Sequence, residues 1–333
     1  MTASGAASET TAGPDVETGP GAETGAGPRR DTRGIVDPAE LLARVRFRRH
    51  LPAPALRPYL EHYWLIDWDL TEPYASQVVP HPSVNVVFER SSETGDSAVV
   101  SGIGLELFTK KLTGTGRVCG VQFRPGGFRP FAPALPVSHW TGRIAPLAEA
   151  FPGAGAVREA GPGPGPGQGA GPGQGPGPGA WPGVGPEGMA QVLAPADDPA
   201  RVAALDAFLL AHGPVADPAA EQAMALVDLV RTDRTLRRVS ALARTAGLSA
   251  RSLQRLFASH VGVGPKWVIL RYRIHEALER ADGSGANPPN SAPPDWARLA
   301  AELGYSDQAH LVRDFTATVG VPPTAYARAL SDP

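Results

Sequence analysis

The spacing of apolar residues along the chain changes from a short period to a helical one near residue 190. Before residue 151, apolar residues fall into short runs bounded by glycine, serine and other polar residues, which is typical of strands. A polar stretch at 91–97 suits a hairpin connection, and short helices are predicted near 39–45 and 144–150. The strand candidates are 83–89, 98–105 and 117–123. Strands joined by short turns predict a β-rich sandwich or barrel-like domain over residues 41–151.

From residue 191 onward, apolar residues recur at helical spacing. Residues 201–212 and 220–230 each place a stripe of apolar side chains on one helix face. Asp217 is positioned to cap the second of these helices, with Pro218 in its first turn. An all-α C-terminal domain is therefore predicted at about 200–330, and the predicted fold class is α+β with several domains.

The helical half of the chain contains an internal repeat, in which 241–268 aligns with 299–326. The matched pairs are Ala243/Ala300, Gly247/Gly304, Leu253/Leu311, Arg255/Arg313, Phe257/Phe315, Val261/Val319, Gly262/Gly320 and Pro265/Pro323. In each copy a short helix ends at a glycine, which adopts a left-handed C-cap at low cost, and a second helix follows. Both copies are predicted to be helix-turn-helix motifs, because an ordinary bundle of helical hairpins has no need to repeat the glycine in register.

The second helix of each copy carries polar side chains opposite its apolar face. Ser249 is a candidate N-cap in the first copy, and Ser306 or Asp307 is the candidate in the second. Arginine suits the major-groove edge of guanine, and glutamine suits that of adenine. The candidate DNA-contacting residues are Ser249, Arg251, Ser252, Gln254 and Arg255 in the first copy and Gln308, Ala309, His310 and Arg313 in the second.

Residues 231–330 resemble the DNA-binding domain of the AraC/XylS family of bacterial transcriptional regulators. The carriers are the run Gly304-Tyr305-Ser306-Asp307-Gln308, Phe315, the run Val319-Gly320-Val321-Pro322-Pro323, and Tyr326. The resemblance implies two helix-turn-helix motifs, at about 237–261 and 295–319, that enter successive major-groove segments on one DNA face. A joining helix at about 265–281 would connect them. The Gly/Asn/Pro-rich loop at 283–294 departs from the short connection that is usual in the family.

Residues 51–151 resemble, more loosely, an N-terminal domain of some members of this family, which implies a sensor or regulatory module. The carriers are Tyr63-Trp64 and the segments 79–88 and 120–127. Candidate effector-binding residues are Trp64, His81 and Arg124. Each has a structural alternative: Trp64 in the core, His81 in a turn between two prolines, and Arg124 beside a structural turn instead of an anion-binding one.

Glycine and proline divide the chain into segments. The 333 residues include 39 glycines and 36 prolines, which is about twice the usual share. Residues 152–188 contain 24 of them, and residues 1–33 have almost no large apolar side chain. Neither stretch can bury enough apolar surface to offset the entropy lost on ordering. We therefore predict a disordered N-terminus at 1–33 and a Gly/Pro-rich linker at 152–190.

Charge is distributed unevenly over the helical half. The net charge of the whole chain is −2, which by itself does not favour nucleic-acid binding. Residues 231–282, however, carry 11 basic and 4 acidic side chains, whereas residues 295–333 carry 3 and 5. Because phosphate contacts supply much of DNA affinity, the first motif is predicted to anchor the protein and the second to add register and specificity.

The sequence argues against several other functional classes. A single cysteine, Cys119, excludes a disulfide framework, a multi-cysteine metal site and the cysteine–histidine pair that a DNA-repair alkyltransferase needs. No P-loop, His-Glu-x-x-His motif or triad spacing is present. We therefore expect no enzyme activity, no catalytic or metal-binding residue and no cofactor. Without a long apolar run or a signal peptide, a cytoplasmic location and no membrane partner are expected.

These patterns together predict a sequence-specific transcriptional regulator. Its expected partner is double-stranded DNA, and RNA polymerase and a small-molecule effector are further candidates. An alternative keeps the DNA-binding domain but makes the N-terminal domain a protein-interaction module without a small-molecule ligand. The sequence does not fix the effector, the operator, the sign of regulation or the oligomeric state.

Overall fold

The structure, a computed structural model, describes residues 34–151, 185–281 and 295–331. The disorder predicted at 1–33, most of the linker predicted at 152–190 and the loop at 283–294 lie outside the described residues. All described residues belong to one compact unit, Thr32–Pro333. Within them, no helix has both the length and the apolar character that crossing a membrane requires.

The N-terminal half folds into one antiparallel sheet of six strands in the order β1-β2-β5-β3-β4-β6. The strands are β1 Val45–His50, β2 Leu60–Val78, β3 Asn85–Ser91, β4 Gly95–Ser101, β5 Phe108–Phe123 and β6 Ile144–Pro146. The hairpin predicted at 91–97 is confirmed, since β3 and β4 pair up to Ser91 and Gly95. The helix predicted near 39–45 is α1 Pro38–Arg44, and that predicted at 144–150 is split into β6 and α2 Leu147–Ala150.

The α+β fold class is confirmed, and the β-rich part is a single sheet with helices covering one of its faces. These helices are α3 Pro186–Leu193, α4 Asp198–His212 and α5 Pro218–Thr232, which Asp217 caps as predicted. The rings of Phe88 and Phe208 meet edge to face at 5.4 Å, and the Tyr63 hydroxyl donates to Asp206 at 2.7 Å. The fully buried sheet residues on this face are Tyr63, Leu65, Val86, Phe88, Val100, Cys119, Val121 and Phe123.

Helices α3 and α4 therefore pack with the sheet, which differs from the predicted organisation. The sequence placed 186–190 in the linker and assigned 200 onward to the DNA-binding domain. The apolar side of these helices, including the fully buried Val192 and Leu205, is instead buried in the same core as the sheet. Local periodicity shows that a helix has an apolar side but not which partner covers it. The domain boundaries at 41–151 and 200–330 stay a prediction.

A cluster of charged side chains fastens α4 to the sheet. Arg201 is only 1% exposed, and its Nη1 donates to both carboxylate oxygens of Asp67, at 3.0 and 3.1 Å. Arg48 lies between Asp67 and Asp198, with Nη2 2.6 and 2.5 Å from their oxygens. The hydrogen bond from Arg48 lowers the pKa of Asp198 to about 2. Each of the two carboxylates at this junction therefore has at least two arginine partners.

The C-terminal helices have the predicted arrangement. They are α6 Val239–Thr245, α7 Ala250–Leu256, α8 Pro265–Ala281, α9 Trp296–Leu303, α10 Gln308–Val319 and α11 Pro323–Ser331, and α7 continues as a π-helical turn, Phe257–Val261. Both helix-turn-helix motifs and the joining helix, α8, are confirmed. The turns use left-handed glycines, with φ of +63° at Gly247 and +77° at Gly304.

Replacing Arg201 by methionine keeps the side-chain length but removes a buried partner of Asp67. We expect the free energy of unfolding to fall by about 3 kcal/mol, because Asp67 loses one of its arginine partners and the carbonyl oxygens of Pro195 and Ala196 each lose a donor. Urea denaturation monitored by circular dichroism measures the change. The control is Arg90→Met, which breaks a more exposed pair with Asp96 at 2.7 Å and should cost less than about 1 kcal/mol. Equal losses from the two variants would contradict the anchoring role of the cluster.

Candidate DNA-binding surface and adjoining cavity

The second helix of the first motif, α7, is held by a cap at one end and a buried stripe along one side. Ser249 Oγ accepts a hydrogen bond from the Ser252 backbone N–H at 3.1 Å, as predicted. Leu253 and Phe257 are fully buried. The exposed side chains on the opposite side are Arg251, Gln254 and Arg255. Within the described ranges these three have neither a hydrogen-bond nor an ion-pair partner, so their polar groups are available to a ligand.

The second motif presents α10 in the same manner, with Asp307 as its cap. The Asp307 carboxylate accepts from the His310 backbone N–H at 2.7 Å, and this bond lowers the pKa of Asp307. His310 itself is engaged, since Nε2 lies 3.7 Å from Asp314 and the ring packs on Tyr305 at 5.2 Å. The predicted contact residues that are exposed here are Gln308, Ala309 and Arg313.

Several arginines around the first motif form ion pairs or hydrogen bonds within the protein. Arg234 lies 2.9 Å from Glu276, and Arg280 lies 3.2 Å from the same carboxylate. Arg273 donates to the carbonyl of Arg237 at 2.8 Å. The uncompensated cations that remain on a recognition-type helix are therefore concentrated on α7.

Residues 242–329 match a protein-family model described as a helix-turn-helix domain. The chain is a DNA-binding transcriptional regulator with an AraC-type domain. Residues 48–146 of the regulator match a second family model, described as a domain of unknown function (DUF6597). No curated protein matches the chain.

Several solved structures are similar to this regulator at low identity. A transcriptional regulator with an AraC-type DNA-binding domain from Chromobacterium violaceum is 18% identical, with 34% of this chain and 94% of that chain covered and a TM-score of 0.29. ToxT from Vibrio cholerae O395, bound to (E)-4-(8-methylnaphthalen-1-yl)but-3-enoic acid, is 11% identical, with 86% and 99% covered and a TM-score of 0.39. Wild-type ToxT bound to an unsaturated fatty acid is 11% identical, with 81% and 95% covered and a TM-score of 0.37.

The second face of the sheet borders a cavity of about 650 Å³. The floor includes Phe47, Trp64, Ile66, Asn85, Val87 and Gln122 from the sheet. The opposite wall includes Ile269, Tyr272, Arg273, His275 and Glu276 from α8. This volume lies in the range of small-molecule sites. The lining combines apolar and aromatic side chains with many polar and charged ones, including Glu61, Lys110 and Glu279.

Two tryptophans lie flat on glycines of the neighbouring strand and form the aromatic part of the floor. A Cβ at Gly120 would lie 1.9 Å from the Trp64 ring, and one at Gly116 would lie 2.1 Å from the Trp68 ring. Trp64 Nε1 also donates to Asn85 Oδ1 at 3.4 Å. Because one face of the Trp64 ring rests on backbone, the other face is turned to the cavity, where the side chain stays partly exposed.

Histidine and tyrosine side chains meet where α8 closes the cavity. The His81 ring lies 5.5 Å from the Tyr272 ring and 5.3 Å from the His275 ring, both edge to face. His81 Nδ1 is 2.8 Å from Ser83 Oγ, and His275 Nε2 is 3.1 Å from the carbonyl oxygen of Pro80. Burial raises the pKa of Tyr272. The segment between β2 and β3 is thus attached to the joining helix at the cavity edge.

The structure brings together two of the three residues that the sequence proposed for an effector. Trp64 and His81 both line the cavity, whereas Arg124 does not. Arg124 instead pairs with Asp228 of α5 and donates to the carbonyl of Pro58 at 2.8 Å. The glycines beside it pack closely, since a Cβ at Gly127 would lie 2.2 Å from the Tyr59 carbonyl oxygen. That turn is structural and leaves no room for an anion.

Sequence reasoning missed the contribution of α8 to the cavity. The helix was assigned only a joining role, although Ile269, Tyr272 and Glu276 recur at helical spacing on one side of it. Ile274, Ala277 and Leu278 form a separate buried stripe. A helix with two non-polar sides has two surfaces to cover, and this signal was present in the sequence.

Cys119 is a core thiol. It is fully buried, its Sγ lies 3.8 Å from the Val192 carbonyl oxygen, and burial raises its pKa to about 11. The thiol is therefore protonated at neutral pH and weakly nucleophilic. Among the described residues, no group of three or more His, Cys, Asp or Glu side chains is arranged to hold a metal ion.

Gly120→Ala tests whether the position of the Trp64 ring depends on the glycine beneath it. The added Cβ would collide with the indole ring, so we expect a loss of about 1–3 kcal/mol in the free energy of unfolding as the ring is displaced. Chemical denaturation measures this loss. Gly264→Ala is the control, because a Cβ there has nothing within 4 Å. A Gly120→Ala protein as stable as the Gly264→Ala protein would show that Trp64 does not depend on the glycine.

Proposed function

We propose that this regulator reads DNA through α7 and α10 and that a small molecule in the cavity controls its DNA binding. The supporting observation is the composition of the cavity wall, to which the sheet contributes one side and α8 the other. A bound molecule would contact Trp64 and Tyr272 together. Because α8 connects the two helix-turn-helix motifs, any movement of that helix changes the placement of one motif relative to the other.

In this proposal α7 supplies the stronger DNA contacts. Arg251 and Arg255 are exposed and uncompensated, and each has the geometry to bond guanine twice, while Gln254 suits adenine. On α10, Gln308 and Arg313 read bases with less support from charge, because His310 is held by Asp314. The smaller residues Ser249, Ser252 and Ala309 lie at the starts of the two helices and allow close approach of the DNA.

Two double variants separate the roles of the helices. Arg251→Ala with Arg255→Ala should weaken binding to the preferred duplex by at least about 30-fold, because each bidentate contact contributes roughly 1–3 kcal/mol. Gln308→Ala with Arg313→Ala should weaken it less. Fluorescence anisotropy at one fixed salt concentration measures both, with a duplex selected from a random-sequence pool by the unaltered protein.

The matched control is Arg328→Ala, which removes an exposed cation from α11, a helix that is not one of the two recognition-type helices. It should lose only the small affinity of one general phosphate interaction. A larger loss from the α10 pair than from the α7 pair would show that α10 anchors the complex, contrary to the proposal.

The cavity favours a flat aromatic ligand. Trp64 offers one ring face, fixed in orientation by Gly120 below it, and Phe47 and Tyr272 add aromatic edges. Stacking on a ring of fixed orientation adds binding free energy for a planar ligand and adds little for a flexible chain. Ordering a flexible chain on binding also costs entropy. Polar groups of Asn85 and Gln122 on the floor would orient a hydroxyl or carbonyl group of the ligand.

Two ten-carbon alcohols test this ligand class, 2-naphthol and 1-decanol, by isothermal titration calorimetry. We expect 2-naphthol to bind more tightly than 1-decanol. Trp64→Leu should lower the affinity for 2-naphthol about five- to tenfold, which corresponds to the energy of a stacked aromatic pair. Binding of 1-decanol should change little, and Trp64→Phe should weaken 2-naphthol less than Trp64→Leu does. Equal losses for both alcohols would contradict stacking. Binding of neither would favour a protein-interaction role for the N-terminal module.

Two further parts of the proposal follow from the role in transcription. A regulator bound beside a promoter acts on RNA polymerase, which we include as a partner. Its DNA target also places it in the cytoplasm of a bacterial cell, as the family resemblance implies. The volume of the cavity, about 650 Å³, lies in the range of small-molecule sites, and this is the reason to prefer a small-molecule effector over the protein-interaction alternative.

A further inference from the structure

One loop of the N-terminal module lies against three parts of the DNA-binding domain. This loop, residues 102–107, connects β4 to β5 and is called the strap loop below. Its contacts fall, in chain order, on the turn after α7, on the middle of α8, and on the turn after α10. The same short loop thus touches both helix-turn-helix motifs and the helix that joins them.

The first contact is between Ile103 and the turn at Gly262. Ile103 is fully buried, and a Cβ on Gly262 would lie 2.6 Å from its Cδ1. The left-handed φ of +93° at Gly262 brings the backbone close to the loop. Thr141 Oγ1 donates to the Gly262 carbonyl at 2.8 Å, and Arg129 donates to Ser259 Oγ at 2.6 Å. The first motif is therefore firmly seated on the N-terminal module.

The second contact lies halfway along the loop. The Leu105 carbonyl accepts from Arg271 Nη2 at 3.4 Å, a long hydrogen bond. Arg271 is only 6% exposed and its guanidinium lies over the Trp267 ring at 4.4 Å. Within the described part of the chain its Nη1 has no hydrogen-bond partner, and burial lowers its pKa to about 10. A buried cation without a carboxylate partner makes this contact weak.

The third contact is between Leu107 and the turn at Gly320. A Cβ on Gly320, where φ is +86°, would lie 3.3 Å from Leu107 Cδ2. Leu107 is partly buried and packs on the core of the second motif, which includes Phe315 and Val319. Gly320 is the residue that matches Gly262 in the internal repeat. The loop therefore meets the same turn of both motifs, once at each end.

We propose that the strap loop sets the relative position of the two DNA-reading helices, with Ile103, Leu107 and Arg271 as positioning residues. The contacts differ in strength: Ile103 is buried in a shared core, whereas Leu107 is partly buried and Arg271 is uncompensated. The contact between the strap loop and the second motif is thus the weaker one, and it is the one that opens. The two motifs are also linked directly, because Arg237 Nη2 donates to the Glu302 carbonyl at 2.7 Å. When the loop contact opens, this hydrogen bond stays in place and the second motif turns about it.

The strap loop also connects the cavity to these turns, and this part rests on the proposed function. Ser101, Gly102, Gly104 and Phe108, which lie in the loop or beside it, all line the cavity. A molecule that fills the cavity contacts the loop near both ends. The loop is therefore a second path, beside α8, from the ligand to the spacing of the two motifs.

Leu107→Ala tests the releasing end by pulsed electron spin resonance on the full chain. Spin labels are placed at Ala258→Cys and Ala317→Cys, exposed positions close to the two turns, and the buried Cys119 stays unlabelled. The unaltered loop should give one narrow distance distribution, and Leu107→Ala should broaden it and add a second distance. Leu105→Ala is the matched control, because Leu105 is exposed and contributes only its carbonyl.

Unchanged distances in Leu107→Ala would overturn the proposal, as would equal broadening in Leu105→Ala. A second variant, Ile103→Val, makes a smaller change at the other end of the strap loop. It keeps the test valid if Leu107→Ala unfolds the second motif, and it should broaden the distance distribution between the two spin labels. Duplexes selected from a random pool give the functional readout: one spacing between the two contacted segments for the unaltered protein, and several for Leu107→Ala. One spacing for both would also overturn it. Failure of the unaltered protein to select DNA would refute the proposed function alone, since the distances are measured without DNA.

Discussion

Because successive side chains of a strand point to opposite faces, β2 buries Tyr63 and Leu65 under α4 and presents Trp64 and Ile66 to the cavity. This alternation governs the rest of the molecule. One face becomes a closed core with helices that follow the linker in sequence. The other face stays open enough to hold a ligand and is completed by α8. Adjacent residues of β2 therefore belong to the closed core on one face and to the cavity on the other.

Two glycines on β5 shape the sheet face that borders the cavity. Gly116 and Gly120 lie opposite Trp68 and Trp64 in the pairing of β2 with β5. Each leaves a gap in the pleated surface into which an indole ring settles. A side chain at either position would collide with the indole ring in its present place. The lack of a side chain at two positions thus determines the shape of the floor.

The parts of the fold that the sequence predicted are those fixed by local interactions. The caps at Ser249 and Asp217 and the left-handed turn at Gly304 depend on residues within one turn of helix, and all were found as expected. The partner of each apolar face depends on contacts that are distant in sequence. For that reason the packing of α3 and α4 on the sheet was not predicted, and neither was the cavity wall on α8. The pairing of Arg124 was not predicted for the same reason, since its partner Asp228 lies more than a hundred residues away.

Two buried arginines show how the molecule distinguishes a fixed interface from a movable one. Arg201 has two carboxylates within reach, so its burial is compensated and separating α4 from the sheet would expose a broken ion cluster. Arg271 is almost as deeply buried but has an aromatic ring and one long hydrogen bond in place of a carboxylate. Hydration would favour the Arg271 guanidinium in an opened state, which offsets part of the apolar energy that closes the strap loop. The interface at Arg271 is therefore less strongly fixed than the one at Arg201, and a ligand that binds the closed and the opened state with different affinity would shift the balance between them.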